Sequence, residues 1–312
     1  MNNEQMNNLT YIVASSSGPS NDGCTSDQKV SFSSWKPMPE LPEVQTVVTT
    51  LAPLLIKRRI EAVVHLRDDI LSPTGCDLRE CLKRRTIISL HRRAKRIVVG
   101  LDDGNYFYIH LGMTGRVTID TPEAALAPHT HLVLQLNNVR QLRFRDPRRF
   151  GGVFWLGTKD DDASIGPEPL TLAWKDLALR LRRTTRAIKN ALMDQRLIAG
   201  LGNIYVDECL FRSGLHPLRR ADRLSDDDVN RLTRSIKSVL TKAIRHRGST
   251  LRDYVDANGQ PGAFQALHDV YDREGLKCRR CEDSIRRIVL GGRSTHFCAT
   301  CQPRRKRRTM PK

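Results

Sequence analysis

Cys278 and Cys281 are separated by two residues, as are Cys298 and Cys301, with sixteen residues between the pairs. Thiolates are soft ligands, and each CxxC turn can aim two of them at one ion. This spacing is that of a four-thiolate structural zinc site. The intervening stretch, SIRRIVLGGRSTHF, can fold back at Gly291-Gly292 as a hairpin with Arg293 at its tip. The other cysteines, Cys24, Cys76, Cys81 and Cys209, are scattered and support no functional assignment. The N-terminus lacks the basic-then-apolar order of a secretory signal, so a reducing cytoplasm is expected. There, paired cysteines read as metal ligands rather than disulfides.

The second chemical signal is charge. Lys and Arg number 52 against 34 Asp and Glu, a formal net charge of +18. An excess of that size calls for a polyanionic partner, nucleic acid or an anionic membrane surface. No apolar run approaches the roughly eighteen residues of a spanning helix, so membrane insertion is excluded and nucleic acid remains. The hydrophobic share of 39% is enough for real cores.

These groups need elements to hold them. Residues 1–37 are Asn/Ser-rich without apolar period and read as a disordered leader, or as sequence upstream of the true start. Acids outnumber bases there, so the positive field belongs to the folded remainder. Leu41, Val44, Val48, Leu51 and Leu55 recur at helical spacing, with Pro42 suited to a first turn and Pro53 expected to kink or end the helix. Short β-type runs follow at 86–90, 96–101, 106–110, 131–136, 141–145 and 152–156, separated by turns such as Asp103-Gly104. Six such runs predict an antiparallel β-sandwich or barrel. From about residue 169 the period is helical. Ser225 is the expected N-cap of a helix whose apolar face is Val229, Leu232, Ile236, Val239 and Leu240, with Gly248 at its stop.

Several motifs together carry a family resemblance. Met38-Pro39-Glu40-Leu41-Pro42-Glu43-Val44, RRAK (92–95), HLGMTG (110–115), DPRRFG (146–151), IGPEPL (165–170), GLGNIYVDE (200–208) and the cysteine module stand in the same order as in the formamidopyrimidine-DNA glycosylases, which the chain resembles. Those enzymes repair 8-oxoguanine and ring-opened purines. The resemblance runs from Pro39 to about Pro303. Endonuclease VIII, the relative nearest in chemistry, typically begins MPEGPE, so Leu41 favours the purine branch. The implied fold class is α+β: a catalytic antiparallel β-sandwich domain with flanking helices (38–168), a helix–two-turn–helix DNA-binding domain (169–266), a zinc-finger β-hairpin (267–303) and a basic tail (304–312).

The implied activity is a bifunctional glycosylase and abasic-site lyase acting on damaged duplex DNA as a monomer associated with the nucleoid. An amine attacks the sugar's anomeric carbon, the base leaves, and the resulting imine acidifies a neighbouring sugar proton so that the strand breaks. Such chemistry needs an unprotonated amine, and an α-amino group with a pKa of about 8 is better poised than a lysine at about 10.4. The resemblance gives that role to Pro39, with Glu40 as general acid, although Pro-Glu alone would merely mark a helix start. It gives β-elimination to Lys95, and δ-elimination with phosphate binding to Arg293. DNA contacts fall to His129, Lys189 and Asn203. Met113, Arg148 and Phe150 would fill the gap left by the flipped nucleotide, where apolar wedges are the usual device. Residues 251–264 resemble a loop that closes over the flipped base. One structural zinc is the only cofactor implied.

Three departures qualify the likeness. In the family the counterpart of Pro39 is the mature N-terminus, whereas an internal proline nitrogen is a tertiary amide that cannot form an imine. The active protein is therefore expected to begin at Pro39, by translation from Met38 or removal of the leader. RRTTRAIK (182–189) carries Thr184 where familiar members have a lysine, with Arg182, Arg183 and Arg186 able to compensate. The basic tail after the cysteines is expected to add phosphate affinity without sequence preference. Two alternatives stay open: an enzyme of the same fold for oxidised pyrimidines, and a non-enzymatic DNA-binding zinc protein should Pro39 never be exposed.

Overall fold

The computed structural model describes residues 38–72, 77–159, 164–250 and 254–304. The leader at 1–37, the basic tail beyond Arg304 and the first residues of the 251–264 loop lie outside the described residues.

Helix α1 (Leu41–Leu55) begins where the sequence changes character, with Pro42 in its first turn and Val44, Val48, Leu51 and Leu55 all buried. Pro53 stands inside its last turn, and the helix ends at Leu55. There follow β1 (Ile60–Leu66), β2 (Leu71–Ser72), α2 (Leu78–Leu82), β3 (Ile87–Arg93), β4 (Arg96–Leu101), β5 (Tyr106–His110), β6 (Arg116–Asp120), β7 (Thr130–Leu136), β8 (Gln141–Arg145) and β9 (Gly152–Gly157). One sheet has the order β1-β7-β8-β6 and the other β2-β9-β5-β4-β3. Among the described residues every pairing in these sheets is antiparallel apart from the short β2–β9 contact. Ile97, Val99, Phe107 and Ile109 from one sheet share a core with Leu132, Leu134, Leu142 and Phe144 from the other, and with the apolar face of α1.

The helical half comprises α3 (Trp174–Leu181), α4 (Ile188–Met193), α5 (Asn203–Ser213) and α6 (Asp226–Arg245). Ser225 caps α6: its hydroxyl accepts from Asp228 N at 3.2 Å, and the Asp228 carboxylate accepts from Ser225 N at 3.3 Å. That reciprocal pair satisfies two amide donors that the helix leaves open. Val229, Leu232, Ile236, Val239 and Leu240 line a second core. Leu41, from the head of α1, belongs to this second core, while Tyr254 and Ala257 reach into the first. The start of α1 therefore lies at the seam of the two cores. A third, small cluster (Phe211, Val270, Cys278, Ile285, Cys298) underlies the hairpin β10 (Ile285–Leu290) and β11 (Arg293–Cys298). The expected α+β class, a β-sandwich followed by helices and a zinc-finger hairpin, is the one observed.

Candidate active site and zinc centre

Pro39 and Glu40 are buried at the seam, immediately before α1. The Glu40 carboxylate reaches across to the first turn of α5, accepting from Ile204 N at 2.9 Å and Tyr205 N at 3.4 Å. A helix N-terminus favours an anion there. Burial works against it more strongly, and Glu40 is pushed up from 4.5 to about 7, with Lys95 pulling the other way. Glu43 is the base of this arrangement. Its carboxylate accepts from Glu40 N at 2.9 Å, from the Tyr205 hydroxyl at 2.5 Å and from Ser249 N at 2.7 Å. Burial raises its pKa as well. The Tyr254 hydroxyl donates to the Glu43 carbonyl at 3.1 Å, so the described part of the 251–264 loop is tied to the same residue.

Lys95 sits in the tight turn between β3 and β4, where Arg93 pairs with Arg96 and Ala94 takes φ +56°. Only 8% of it is exposed, and burial lowers its pKa while Glu40 and Glu43 raise it and Arg293 lowers it. Glu168 pins this turn. Its carboxylate accepts from Arg92 Nη1 at 2.9 Å, Arg92 Nη2 at 2.6 Å and Ala94 N at 2.6 Å. Arg93 approaches the same carboxylate at 3.3 Å. IGPEPL thus contributes a clamp on the lysine's turn, a use that no local pattern of residues reveals.

Arg293 is exposed at the start of β11, next to the Gly291-Gly292 tip. Asn203 opens α5, and its Nδ2 lies 3.3 Å from Ser294 Oγ and 3.5 Å from the Tyr271 hydroxyl. Its Oδ1 is buried without a hydrogen-bond partner among the described residues. Helix α5 is the common mount: Glu40 meets its N-terminus, Asp207 Oδ2 accepts from His296 N at 2.8 Å, and Glu208 accepts from the amides of Asp269, Val270 and Tyr271 at 2.8–2.9 Å.

Lys189, expected among the DNA contacts, is 1% exposed. Its Nζ donates to Asp207 Oδ1 and to the Ser294 carbonyl, each at 2.7 Å. The ammonium is thus paired between α5 and β11 rather than displayed at the surface, on the wall of a cavity that Arg186, Asn190 and Arg293 also line.

The remaining contact candidates are gathered along one edge of the sandwich. His129 is exposed in the loop before β7 with φ +66°. Met113 is half-buried in the turn between β5 and β6. Phe150 is 57% exposed after β8, with the Arg148 guanidinium over its ring at 4.8 Å from the centroid.

The four hairpin cysteines converge so that all their sulfurs lie within 4.8 Å of one another. Contacts of 3.4 Å (Cys281–Cys301), 3.5 Å (Cys281–Cys298) and 3.8 Å (Cys278–Cys301) are far from a disulfide bond. They suit a tetrahedron with Zn–S of about 2.3 Å, whose edges are roughly 3.8 Å. Arg280 N and Cys301 N each lie 3.4 Å from a cysteine sulfur, of Cys278 and Cys298 respectively, as donors to thiolate require. The donor set fits one structural zinc. Among the described residues no helix is long and apolar enough to cross a membrane.

Comparison with known proteins gives a consistent picture. Residues 38–153 match the family profile described as the formamidopyrimidine-DNA glycosylase N-terminal domain, residues 165–255 the H2TH domain of the same enzymes, and residues 275–304 the zinc finger found in FPG and IleRS. A formamidopyrimidine-DNA glycosylase of Gluconobacter oxydans is 47% identical over 276 residues, spanning 85% of this chain and all of the relative. One from Chloroflexus aggregans is 44% identical over 271 residues, spanning 85% of this chain and 98% of its own. Among solved structures, the MutM (FPG) protein of Thermus thermophilus superposes with a TM-score of 0.76 at 41% identity, covering 85% of this chain and 98% of its own. A mutant FPG of Lactococcus lactis, in complex with Fapy-dG-containing DNA, superposes at 0.80 with 34% identity, covering 85% and 100%.

Proposed function

The chain belongs to the formamidopyrimidine-DNA glycosylase family, and from that membership we propose that it releases oxidised purines from duplex DNA and then cleaves the strand through an imine on Pro39. The observation that carries this reading is Glu40: a carboxyl lifted by burial to about 7 directly follows the proline, with the Lys95 ammonium close enough to oppose the shift. The Pro39 nitrogen forms a bond to the sugar's anomeric carbon as the bond to the damaged base breaks; the electron pair of that bond leaves with the base, which takes up the proton that the amine gives up, and a cationic iminium remains once the sugar ring has opened. Glu40 supplies a proton to the sugar ring oxygen as the ring opens. Lys95 moves the proton of the β-elimination, and Arg293 holds phosphate and serves the δ-elimination. The side-chain amide of Asn203, at the head of α5, offers a donor to a second phosphate, the Ile204 and Tyr205 amides there being taken by Glu40. His129, Met113, Arg148 and Phe150 enter the duplex around the flipped nucleotide. All of these groups come from one chain, which supports a working monomer acting on DNA.

The test is base release from a duplex with 8-oxoguanine opposite cytosine, run beside a thymine-glycol duplex, with borohydride present to trap the imine. Protein beginning at Pro39 is expected to release the purine and form a cross-link, and protein retaining Met38 to form none. A preference for thymine glycol would overturn the substrate class. A cross-link to unprocessed full-length chain would overturn the amine assignment.

A further inference from the structure

The two turns carrying the wedge residues are distant in sequence and yet share backbone contact. A Cβ on Gly112 would lie 2.4 Å from Gly151 N, and one on Gly151 would lie 2.4 Å from the His110 carbonyl oxygen. Side chains are excluded from this seam, so something polar must hold it. Asp146 does, and it is only 1% exposed. Oδ1 accepts from the Thr114 hydroxyl at 2.5 Å and from Arg148 N at 3.3 Å, and Oδ2 accepts from Gly151 N at 2.7 Å. Its main chain extends the same grip, donating from N to the His129 carbonyl at 3.0 Å and accepting on O from His131 Nε2 at 2.8 Å and Arg149 N at 3.2 Å. His129 and Arg149 hold positive φ around it, at 66° and 56°, conformations that non-glycine residues keep only where the surroundings impose them.

We propose that Asp146 is a positioning residue for lesion recognition: its carboxylate, through Thr114, locks the Met113 turn to the Arg148–Phe150 turn so that the three side chains enter DNA as one rigid wedge. Within its own turn the aspartate serves the Arg148 and Gly151 amides. The bond to Thr114 is different in kind, since it joins separate turns and holds the Thr114 hydroxyl where it also accepts from Arg148 N at 3.3 Å. The proposal rests on the assignment of Met113, Arg148 and Phe150 as DNA-inserting residues.

The experiment uses the full chain, which need not be catalytically active, and a duplex with a tetrahydrofuran abasic analogue and 2-aminopurine beside the orphaned base. Unstacking by the wedge raises the fluorescence. The unmodified protein is expected to give a clear rise. Thr114→Val and Asp146→Asn are each expected to cut its amplitude at least threefold, with zinc content and circular dichroism unchanged, while Thr114→Ser restores at least half. In excision assays on protein beginning at Pro39, the same two substitutions should narrow the preference for cytosine over adenine opposite the lesion by about tenfold. Should Asp146→Asn fail to fold, Thr114→Ala decides beside Thr114→Ser: the role stands if loss of the hydroxyl cuts the rise and its return restores it, and falls if Thr114→Ala leaves the rise undiminished. A rise undiminished in Thr114→Val would overturn the role of Asp146. Absence of any rise in the unmodified protein would instead overturn the wedge assignment beneath it.

Discussion

The Glu40 carboxylate occupies the space that a side chain at residue 202 would need. A Cβ built on Gly202 would lie 2.4 Å from Glu40 Cδ and 2.5 Å from Oε1. Gly202 has φ −138° and ψ −159°, backbone that any residue adopts, so glycine is required here for room alone. The consequence is that Gly202→Ala must push Glu40 off the amides of Ile204 and Tyr205. A positioned general acid is worth about 10²–10⁴-fold in rate, so single-turnover base release is expected to drop by about a hundredfold or more. Crowding of this kind costs about 1–3 kcal/mol of stability, which a melting curve will show as a modest shift. A release rate within twofold of the parent would mean that the carboxylate position is not what matters.

A second prediction concerns pH. The reaction needs Glu40 protonated, and burial sets its pKa near 7. It also needs the Pro39 amine unprotonated, with an α-amino pKa of about 8. The rate should rise as the amine loses its proton and fall as Glu40 loses its own, giving a bell centred at about pH 7.5 in which only roughly a twentieth of the protein is in the productive state. Glu40→Gln should lower the rate and abolish the falling limb. The sign for stability follows from the same shift: a carboxyl whose folded pKa is raised supports the fold fully below about 4.5 and loses that support as pH climbs through about 7. Single-turnover base release measured between pH 5.5 and 9 checks the bell, and a falling limb retained in Glu40→Gln would remove Glu40 from the role.

Much of this was legible in the chain, because the motifs are local. MPELPEV, GLGNIYVDE and the paired cysteines carry their meaning within a few residues, and β4, β5 and β8 were evident as apolar runs. The strands β1 and β6 were not, since IEAVVHL and RVTID are mostly half-exposed and show no clean alternation. The site was harder to read wherever a residue acts through a distant partner. Glu168 meets Arg92 from 76 positions away, Asp146 meets Thr114 from 32, and Asp207 meets His296 N from 89. In a chain with a +18 excess, a buried acid is where positive groups are organised, but the sequence does not say which acids are buried.

Zinc removal should act locally. The core beneath the hairpin contains five buried residues, two of them metal ligands, which is too little to hold it without the ion. Structural zinc in finger peptides contributes about 10–16 kcal/mol at neutral pH. Elemental analysis should find one zinc per chain. After chelation, the amides of β10 and β11 are expected to exchange with deuterium within seconds while those of α6 stay protected, and duplex binding should fall with the loss of Arg293's position. Hairpin protection that survives complete metal loss would show that the cysteines are not its support.

Lys189 separates a contact role from a supporting one. If its ammonium touched a phosphate, Lys189→Met would flatten the salt dependence of duplex binding by about 0.9 in the logarithmic slope. The structure places that ammonium 2.7 Å from both Asp207 Oδ1 and the Ser294 carbonyl, with Lys189 1% and Asp207 0% exposed at their side chains. The variant therefore leaves a buried carboxylate with the His296 amide and, at 3.5 Å, His296 Nδ1 beside it, and breaking such a pair costs about 3–5 kcal/mol. At about 2–4 °C per kcal/mol for a protein of this size, the melting temperature should fall by roughly 6–20 °C. The salt slope should not move, because the number of phosphates neutralised is unchanged. What should move is the balance of products: with β11 no longer held behind Arg293, δ-elimination declines relative to β-elimination, and gel analysis of the cleaved strand will show more of the unsaturated-sugar end. A flattened slope with unaltered melting would restore Lys189 to the DNA interface.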